Sequence, residues 1–427
     1  MDCKRAGAIQ GVREVLRRGY FVLLCSALMG MLAPGAAGAG EEVIVDGVPH
    51  IKNGASPSQG VEILELEELW SVGGEDDEDV VLGIVVQAIA DDAGNIYLLD
   101  LQLSQVLVFS PDGEMIGTLS REGEGPGETR RPSDMVFLPD STLALLQTFP
   151  GKLVKVTLDD TPAGEITFGG AATEGGFVAV VDAKCRGGNL VVAGTDITMG
   201  ERQGQQTRTG FLAHFGLDGT EQVRYWENPL ELDFANLKID ERDQYNLFPR
   251  RWAIDADGKV YAAVARDELR IHVFAPDGTL ERVIEKEFTN RKRTQEEREL
   301  YEGLVEVQTR QLPGAEIKLA ETPEAVSEVT VAADGNIWVL TSHGDTDQPE
   351  GIMATYDVFD PEGHFIKQVR IACDGDGRDD GLVRVGDDRV ILIRGLLPAI
   401  MGMQSGGALG GDEEAAPMEI VCYRVGS

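Results

Sequence analysis

Two pairs of adjacent arginines are the first groups in this 427-residue chain whose type and spacing could do chemistry: Arg130-Arg131, before the run Pro132 to Leu138, and Arg250-Arg251, before Trp252 to Asp255. Forked guanidiniums at the entrance to a strand can orient an anionic ligand through paired, charge-assisted hydrogen bonds. The competing reading is that they pair with acids in a chain rich in them, an arrangement that contributes little when exposed. A second constellation is Asp374-Gly-Asp-Gly-Arg-Asp-Asp-Gly381. Alternating Asp and Gly can wrap oxygens around Ca²⁺, which makes Asp374, Asp376 and Asp379 the candidate metal ligands. Arg378 occupies the third ligand position of the usual spacing, however, and no distal Glu follows in register. The acidic run Glu75 to Asp79 reads as a solvated loop.

Other chemistry is sparse. His50, His214, His272, His343 and His364 are scattered, and no two have ligand spacing. The chain has no Gly-x-Ser-x-Gly elbow and no phosphate loop. Gly123-Glu-Gly-Pro-Gly127 is glycine-rich, but its Pro and Glu suit a connection and oppose phosphate.

The elements that must position these residues show themselves by repetition. A phrase Phe-x-x-Asp/Glu-Gly occurs at Phe109 to Gly113, Phe215 to Gly219, Phe274 to Gly278 and Phe359 to Gly363. Gly accepts positive φ and Pro, present in three copies, presets a turn corner, so each copy predicts a hairpin tip. Upstream of each stands another turn followed by an apolar run, at Asp92 to Leu99, Arg186 to Val192, Asp257 to Tyr261 and Asp334 to Val339. Weaker relatives at Pro139 to Leu145 and Gly386 to Leu392 raise the number to six. Six units spaced by about 47 to 77 residues predict an all-β fold, a six-bladed β-propeller of four-stranded blades. Val61 to Val72 precedes the first unit and is expected to join the last blade, ending near Met418 to Val425, as a latch.

The segment Asp91 to Glu128 also carries a resemblance. It runs through Asp-Asp-Ala-Gly-Asn-Ile-Tyr-Leu-Leu-Asp100, Val106-Leu-Val-Phe-Ser-Pro-Asp-Gly-Glu114 and Arg121-Glu-Gly-Glu-Gly-Pro-Gly-Glu128. In this it resembles the NHL-type repeat proteins, and most of all the secreted bacterial six-bladed propellers of unknown function. The likeness covers roughly residues 60 to 425. It implies a fold and little chemistry, because NHL-like proteins include binding scaffolds, an amidating lyase and lactone hydrolases.

Composition and charge bound the rest. Lys4, Arg5, Arg13, Arg17 and Arg18, the apolar stretch Tyr20 to Leu32 and Ala37-Gly38-Ala39 have the order of a signal peptide over residues 1–39. Cys25 lies inside the apolar stretch and lacks the setting of a lipidated cysteine. The expected domains are therefore the leader, an N-terminal extension over 40–60, and one propeller over 61–427. Residues 1–39 carry five positive and two negative side chains, so their removal takes the formal charge from −35 to −38. Such a field excludes nucleic acid and anionic membrane surfaces as partners, and the mature chain has no expected membrane span. Cys185, Cys373 and Cys422 remain after leader removal. Cys373 and Cys422 could pair if their blades adjoin, but free buried thiols are the expected state.

Long segments are expected on one face only. They are the second-turn loops near 196–209, 342–352 and 394–417 and the links near 227–250 and 288–327. The last link predicts a short helical insertion between blades four and five, at about 290–312. There Thr294 and Glu297 form a capping box ahead of Leu300, Tyr301, Leu304 and Val307 at helical spacing. Insertions confined to one face commonly mark a binding face. The expected function is an exported scaffold, periplasmic or extracellular, that binds a small molecule or a protein. It requires no cofactor, although Ca²⁺ could occupy the Asp-Gly loop. The competing class is a metal-dependent hydrolase or lyase with its site at the channel mouth.

Overall fold

The structure is a computed structural model that describes residues 40–75, 80–169, 176–247, 250–309, 314–386, 388–405 and 417–426. The expected leader, acidic residues 76–79, and the stretches 310–313 and 406–416 of two long connections lie outside the described residues. All that is described falls in one compact unit, Ala37–Ser427.

Three strands come first: β1 (Glu41–Val45), β2 (Val48–Asn53) and β3 (Val61–Gly73). The first antiparallel group is β4 (Val85–Ala90), β5 (Ile96–Asp100), β6 (Gln105–Phe109) and β7 (Met115–Leu119). The second is β8 (Asp134–Phe137), β9 (Leu143–Gln147), β10 (Lys152–Val156) and β11 (Pro162–Thr167), and the third is β12 (Phe177–Arg186), β13 (Asn189–Met199), β14 (Gln205–Phe215) and β15 (Glu221–Asp233). After the short β16 (Lys238–Asp240) comes the fourth group, β17 (Trp252–Ile254), β18 (Val260–Ala263), β19 (Arg270–Phe274) and β20 (Leu280–Lys286). Helix α1 (Gln295–Thr309) and β21 (Glu316–Lys318) lead into the fifth, β22 (Val326–Val331), β23 (Ile337–Thr341), β24 (Ile352–Phe359) and β25 (Phe365–Ala372). Then β26 (Gly381–Val385), β27 (Arg389–Arg394), helix α2 (Leu396–Ser405) and β28 (Glu419–Val425) end the chain, with β3 hydrogen-bonded beside β28 as a fourth strand. This is an all-β, propeller-like arrangement of successive four-stranded meanders.

The second strand of each group is buried over its middle, as in Ile96–Asp100, Leu143–Leu146, Leu190–Gly194 and Val390–Ile393. Their sequences are continuous apolar runs without alternation, because both faces of the sheet are covered by other sheets. Each fully buried Leu or Ile contributes about 1.5–3 kcal/mol relative to exposure. The apolar clusters sit between consecutive groups. Leu99 and Val106 of the first meet Met135 and Leu145 of the second, for example. Trp70, Ile391 and Ile420 of the last group pack with Val85, Ile96 and Phe109 of the first.

The glycine turns make the same junction from outside. In Phe109–Gly113, Phe215–Gly219, Phe274–Gly278 and Phe359–Gly363 the Gly adopts φ between +80° and +98° and donates its N–H to the carbonyl three residues before it. Its missing Cβ matters as much as its φ. A Cβ on Gly113 would come 2.5 Å from Trp70 on β3, one on Gly278 2.8 Å from Val223 on β15, and one on Gly363 2.7 Å from Ile284 on β20. At Gly219 the obstacle is the Thr167 carbonyl at the end of β11. Every one of these residues lies on the outer strand of the preceding group. The Pro inside the turn completes the contact: Trp70 Nε1 donates to Pro111 O (3.2 Å), Tyr225 Oη to Pro276 O (3.1 Å) and Arg282 Nη1 to Pro361 O (2.9 Å).

Several long segments differ from the sequence expectation. Residues near 196–209, expected as a loop, are mostly strand: Asp196 pairs with Thr209 and Met199 with Gln206, leaving a tip at 200–204. The pairing of Thr195 to Met199 with Gln206 to Gly210 simply extends the hairpin. Residues 394–405 contain α2, whose Leu396, Ala399, Ile400 and Met403 pack on the junction of the last and first groups. Pro398 lies in its first turn, where a missing N–H costs little. The expected extension 40–60 is a hairpin, β1–β2, with β2 running parallel to β20 and so widening the fourth group. The first half of β3 likewise runs parallel to β25 before its second half turns to β28. Helix α1 falls inside its expected window, and its capping box closes reciprocally, with Glu297 N to Thr294 Oγ1 at 3.1 Å and Thr294 N to Glu297 Oε2 at 2.7 Å.

Candidate functional site

Strands alternate in direction within a group, so second turns and links share one face and the glycine turns take the other. The four candidate arginines end links on that first face and have different surroundings. Arg130 is exposed, with Nη1 3.0 Å from the exposed Glu124. Arg131 is exposed with φ +47°, its own N–H donating to Ser104 Oγ (2.9 Å) on the second turn of the first group. Arg250 stands 3.5 Å from Glu328, a largely buried residue of β22. Arg251 is more enclosed: Nε donates to Val326 O (3.1 Å), Nη2 lies 3.5 Å from Glu324, and the guanidinium covers the Tyr245 ring at 5.5 Å. Arg250 and Arg251 thus brace the fourth group against the fifth, whereas Arg130 and Arg131 stand open to solvent.

The Asp-Gly loop turns two carboxylates inward on its own amides. Asp376 Oδ1 accepts from Arg378 N (2.8 Å) and Asp379 N (3.3 Å), while Asp380 accepts from Asp376 N (2.9 Å) and Gly395 N (2.8 Å). Asp374 is fully exposed, with its nearest cation, Arg394, at 3.9 Å. Burial, with the Asp376 charge beside it, pushes the Asp379 carboxyl above its ordinary value. The three candidate ligands do not converge, and among the described residues no three His, Cys, Asp or Glu side chains are grouped as a metal ion requires. The histidines disperse too: His50 contacts Glu285 (3.3 Å), His343 bonds to Thr289 O (2.7 Å) and His364 to Asp360 (3.0 Å). Cys185, Cys373 and Cys422 are free thiols, and burial pushes Cys422 up to about 11.

Two clusters escaped the sequence reading. The first organises the link face around Glu241, in the 3-10 turn Glu241–Gln244 that follows β16. Its carboxylate accepts from both terminal nitrogens of Arg293 (2.7 and 2.5 Å), from Arg266 Nη2 (3.1 Å) and from Ala320 N (2.8 Å). Burial alone would raise this carboxyl, but those bonds and the charges of Arg293 and Arg266 outweigh it and hold it below its ordinary value. Arg293 also covers the Tyr301 ring of α1 at 4.1 Å. Beside this cluster, β16 pairs in parallel with β21, and Leu232, Leu237 and Ile239 form a small apolar nucleus with Ile317. Two links therefore fold together into one cap over the fourth group. An open cleft of about 460 Å³, lined by Lys52, Arg270, Lys286, Asp267, Glu285 and Glu287, lies beside it.

The second cluster lies on the innermost strands. Asp134 of β8 and Asp182 of β12 are only 5% and 4% exposed. Asp134 Oδ2 accepts from Ala183 N at 2.7 Å, and Lys184 Nζ stands 3.5 Å from Asp182 while donating to Trp252 O of β17 at 2.7 Å. Burial, then the neighbouring Asp182, drives the Asp134 carboxyl well above the aspartate range, against the pull of the Ala183 N–H. An acid inside an apolar strand, as in Ser133-Asp-Met-Val and Val181-Asp-Ala, was the available signal.

No family model matches the chain, and no curated protein matches it in sequence. Solved structures with similar backbones include a candidate exported protein of Bacteroides fragilis, with 10% identity, a TM-score of 0.46, and coverage of 86% of this chain and 100% of that one. The calcium-binding protein regucalcin of Agrobacterium tumefaciens has 11% identity and a TM-score of 0.41, over 86% of this chain and 97% of its own. Virginiamycin B lyase of Staphylococcus aureus has 9% identity and a TM-score of 0.41, over 82% and 98%. Among the described residues no helix is long and apolar enough to cross a membrane.

Proposed function

We propose that the chain is an exported six-bladed propeller that serves as a binding scaffold and recognises its ligand on the link face. Closure into a ring is supported by the contact of Gly113 with Trp70, which joins the first group to the last in the same way that Gly278 joins the fourth to the third. One observation carries the functional part. The glycine-turn face is built from short repeated turns, while the β13–β14 hairpin tip, the β16–β21 pair, α1 and α2 all stand on the opposite face. Ordered, non-repeating structure added to one face of a rigid scaffold is the usual form of a recognition surface.

In this reading an anionic group on the ligand meets Arg130 and Arg131, and Arg250 and Arg251 contribute from behind Glu328 and Glu324. Screening anionic sugars, peptides and phosphate esters for thermal protection of the exported form tests it. The double variant Arg130→Ala, Arg131→Ala should melt as the wild type does, because exposed arginines contribute little to stability. Its anion affinity should fall by about 1.5–3 kcal/mol for each charge-assisted bond lost. Protection that survives the double variant unchanged would move the ligand elsewhere on the face, and no protection by any anion would end the anionic reading.

A further inference from the structure

We infer that Asp134 and Asp182 form a shared-proton clasp between the second and third sheets: Asp134 is a neutral carboxylic acid whose O–H donates to the Asp182 carboxylate. The geometry demands a donor at this place. Asp182 Oδ2 is buried and has no hydrogen-bond partner, although a buried carboxylate oxygen left unpaired costs a great deal. Lys184 Nζ stands 3.5 Å from this same oxygen, an ion pair without a hydrogen bond, because it donates to Trp252 O and lies over the Trp252 ring, 4.1 Å away. Asp134 is anchored at the residue after Asp182 on the same strand, its Oδ2 accepting from Ala183 N at 2.7 Å and its Oδ1 from Met135 N at 2.8 Å.

Two ionised carboxylates side by side in such a site would repel, and one proton removes both the repulsion and the orphaned acceptor. Nothing else nearby competes for that role. The packed strands β4, β9 and β17 carry no titratable side chain, and Asp196 on β13 is paired with Arg224 at 2.9 Å. Gln87 of β4 accepts from Met135 N (3.0 Å), so the clasp is one stitch in a line of polar contacts joining β4, β8, β12 and β17.

The sign of the pH dependence follows. Asp134 binds its proton more tightly in the folded chain than in the unfolded one. The stability it contributes is fully present below the ordinary aspartate range and is lost as pH rises through its folded value. The contribution of the clasp to the junction between the second and third sheets should therefore be larger in acid than in alkali.

Infrared spectroscopy of a parent chain carrying Asp345→Asn tests the clasp directly, because burial also pushes the Asp345 carboxyl above its ordinary value and its acid band would overlap. A carbonyl band of an un-ionised carboxylic acid is expected at pH 7, disappearing on titration to alkali. The band should be absent from both Asp134→Asn and Asp182→Asn. In melting experiments from pH 5 to pH 9, Asp134→Asn should gain on the wild type as pH rises, because its amide can donate to Asp182 at every pH. If neither variant folds, the band of the parent chain and its titration still decide. Absence of an acid band at pH 7, or a band that persists in both variants, overturns the proposal.

Discussion

On the glycine-turn face one contact is used four times, a turn Gly laid on the outer strand of the sheet before it, whereas on the link face no two connections are alike. The repeated contact needs only a short phrase of sequence, since the turn supplies its own positive φ, its own hydrogen bond and the bare backbone that its neighbour touches. The link face is held by charges far apart in the chain, with Glu241 joined to Arg266 and Arg293 across 25 and 52 residues. A local device can be copied from sheet to sheet, and copies build a scaffold. A long-range device is specific to its place, and it gives this molecule a surface of its own.

The comparison can be broken on either side. The largest effect is expected at the cap. Glu241→Gln leaves Arg293 buried without its carboxylate and Arg266 with Asp267 alone, a change that costs about 3–5 kcal/mol when a buried pair loses one partner. Hydrogen exchange should show the loss concentrated in β16, β21 and the start of α1, with the sheets still protected. Acid should do to the wild type what the substitution does. The Glu241 carboxyl is held below its ordinary value, so its contribution is present above the unfolded-state value and is lost as pH falls through the folded one. Protection lost evenly across all sheets would mean that the cap is no separate feature.

A smaller effect, of the opposite distribution, is expected at the turns. Gly113→Ala adds a Cβ 2.5 Å from Trp70 in a left-handed conformation. Overpacking of about 1–3 kcal/mol and backbone strain of about 1–2 kcal/mol should together lower the global melting temperature. The same exchange at Gly351, which also has positive φ but has nothing within 4 Å of its added Cβ, should cost only the backbone part. Equal losses at the two positions would show that the contact with the preceding sheet contributes nothing.

Legibility in the sequence follows the same division. The Phe-x-x-Asp/Glu-Gly turns could be found because all that they need lies within five residues. The second strands showed as apolar runs, and α1 was visible through Thr294 and Glu297, three residues apart. The docking of β2 on β20 could not be read, since Asn53 reaches the carbonyl of Glu285 across 232 residues. Nor could β16 and β21, three residues each, which exist because they pair with one another. For the site, Arg130, Arg131, Arg250 and Arg251 stood out as residues, but nothing local distinguished the open pair from the pair braced by Glu324 and Glu328. Asp134 and Asp182 were masked by their strands, whose apolar neighbours drew attention to packing.

Ring closure through β3 is the claim on which the scaffold rests, and two truncations test it most directly. A chain starting at Val61 lacks only the β1–β2 hairpin, while a chain starting at Gly74 also loses β3, which exposes unpaired edges on β25 and β28. Thermal unfolding of the purified chains is the measurement. The first should remain soluble and melt in one cooperative transition, and the second should aggregate or melt without cooperativity. A chain starting at Gly74 that stays soluble and melts cooperatively within a few degrees of the longer one would contradict the closed ring.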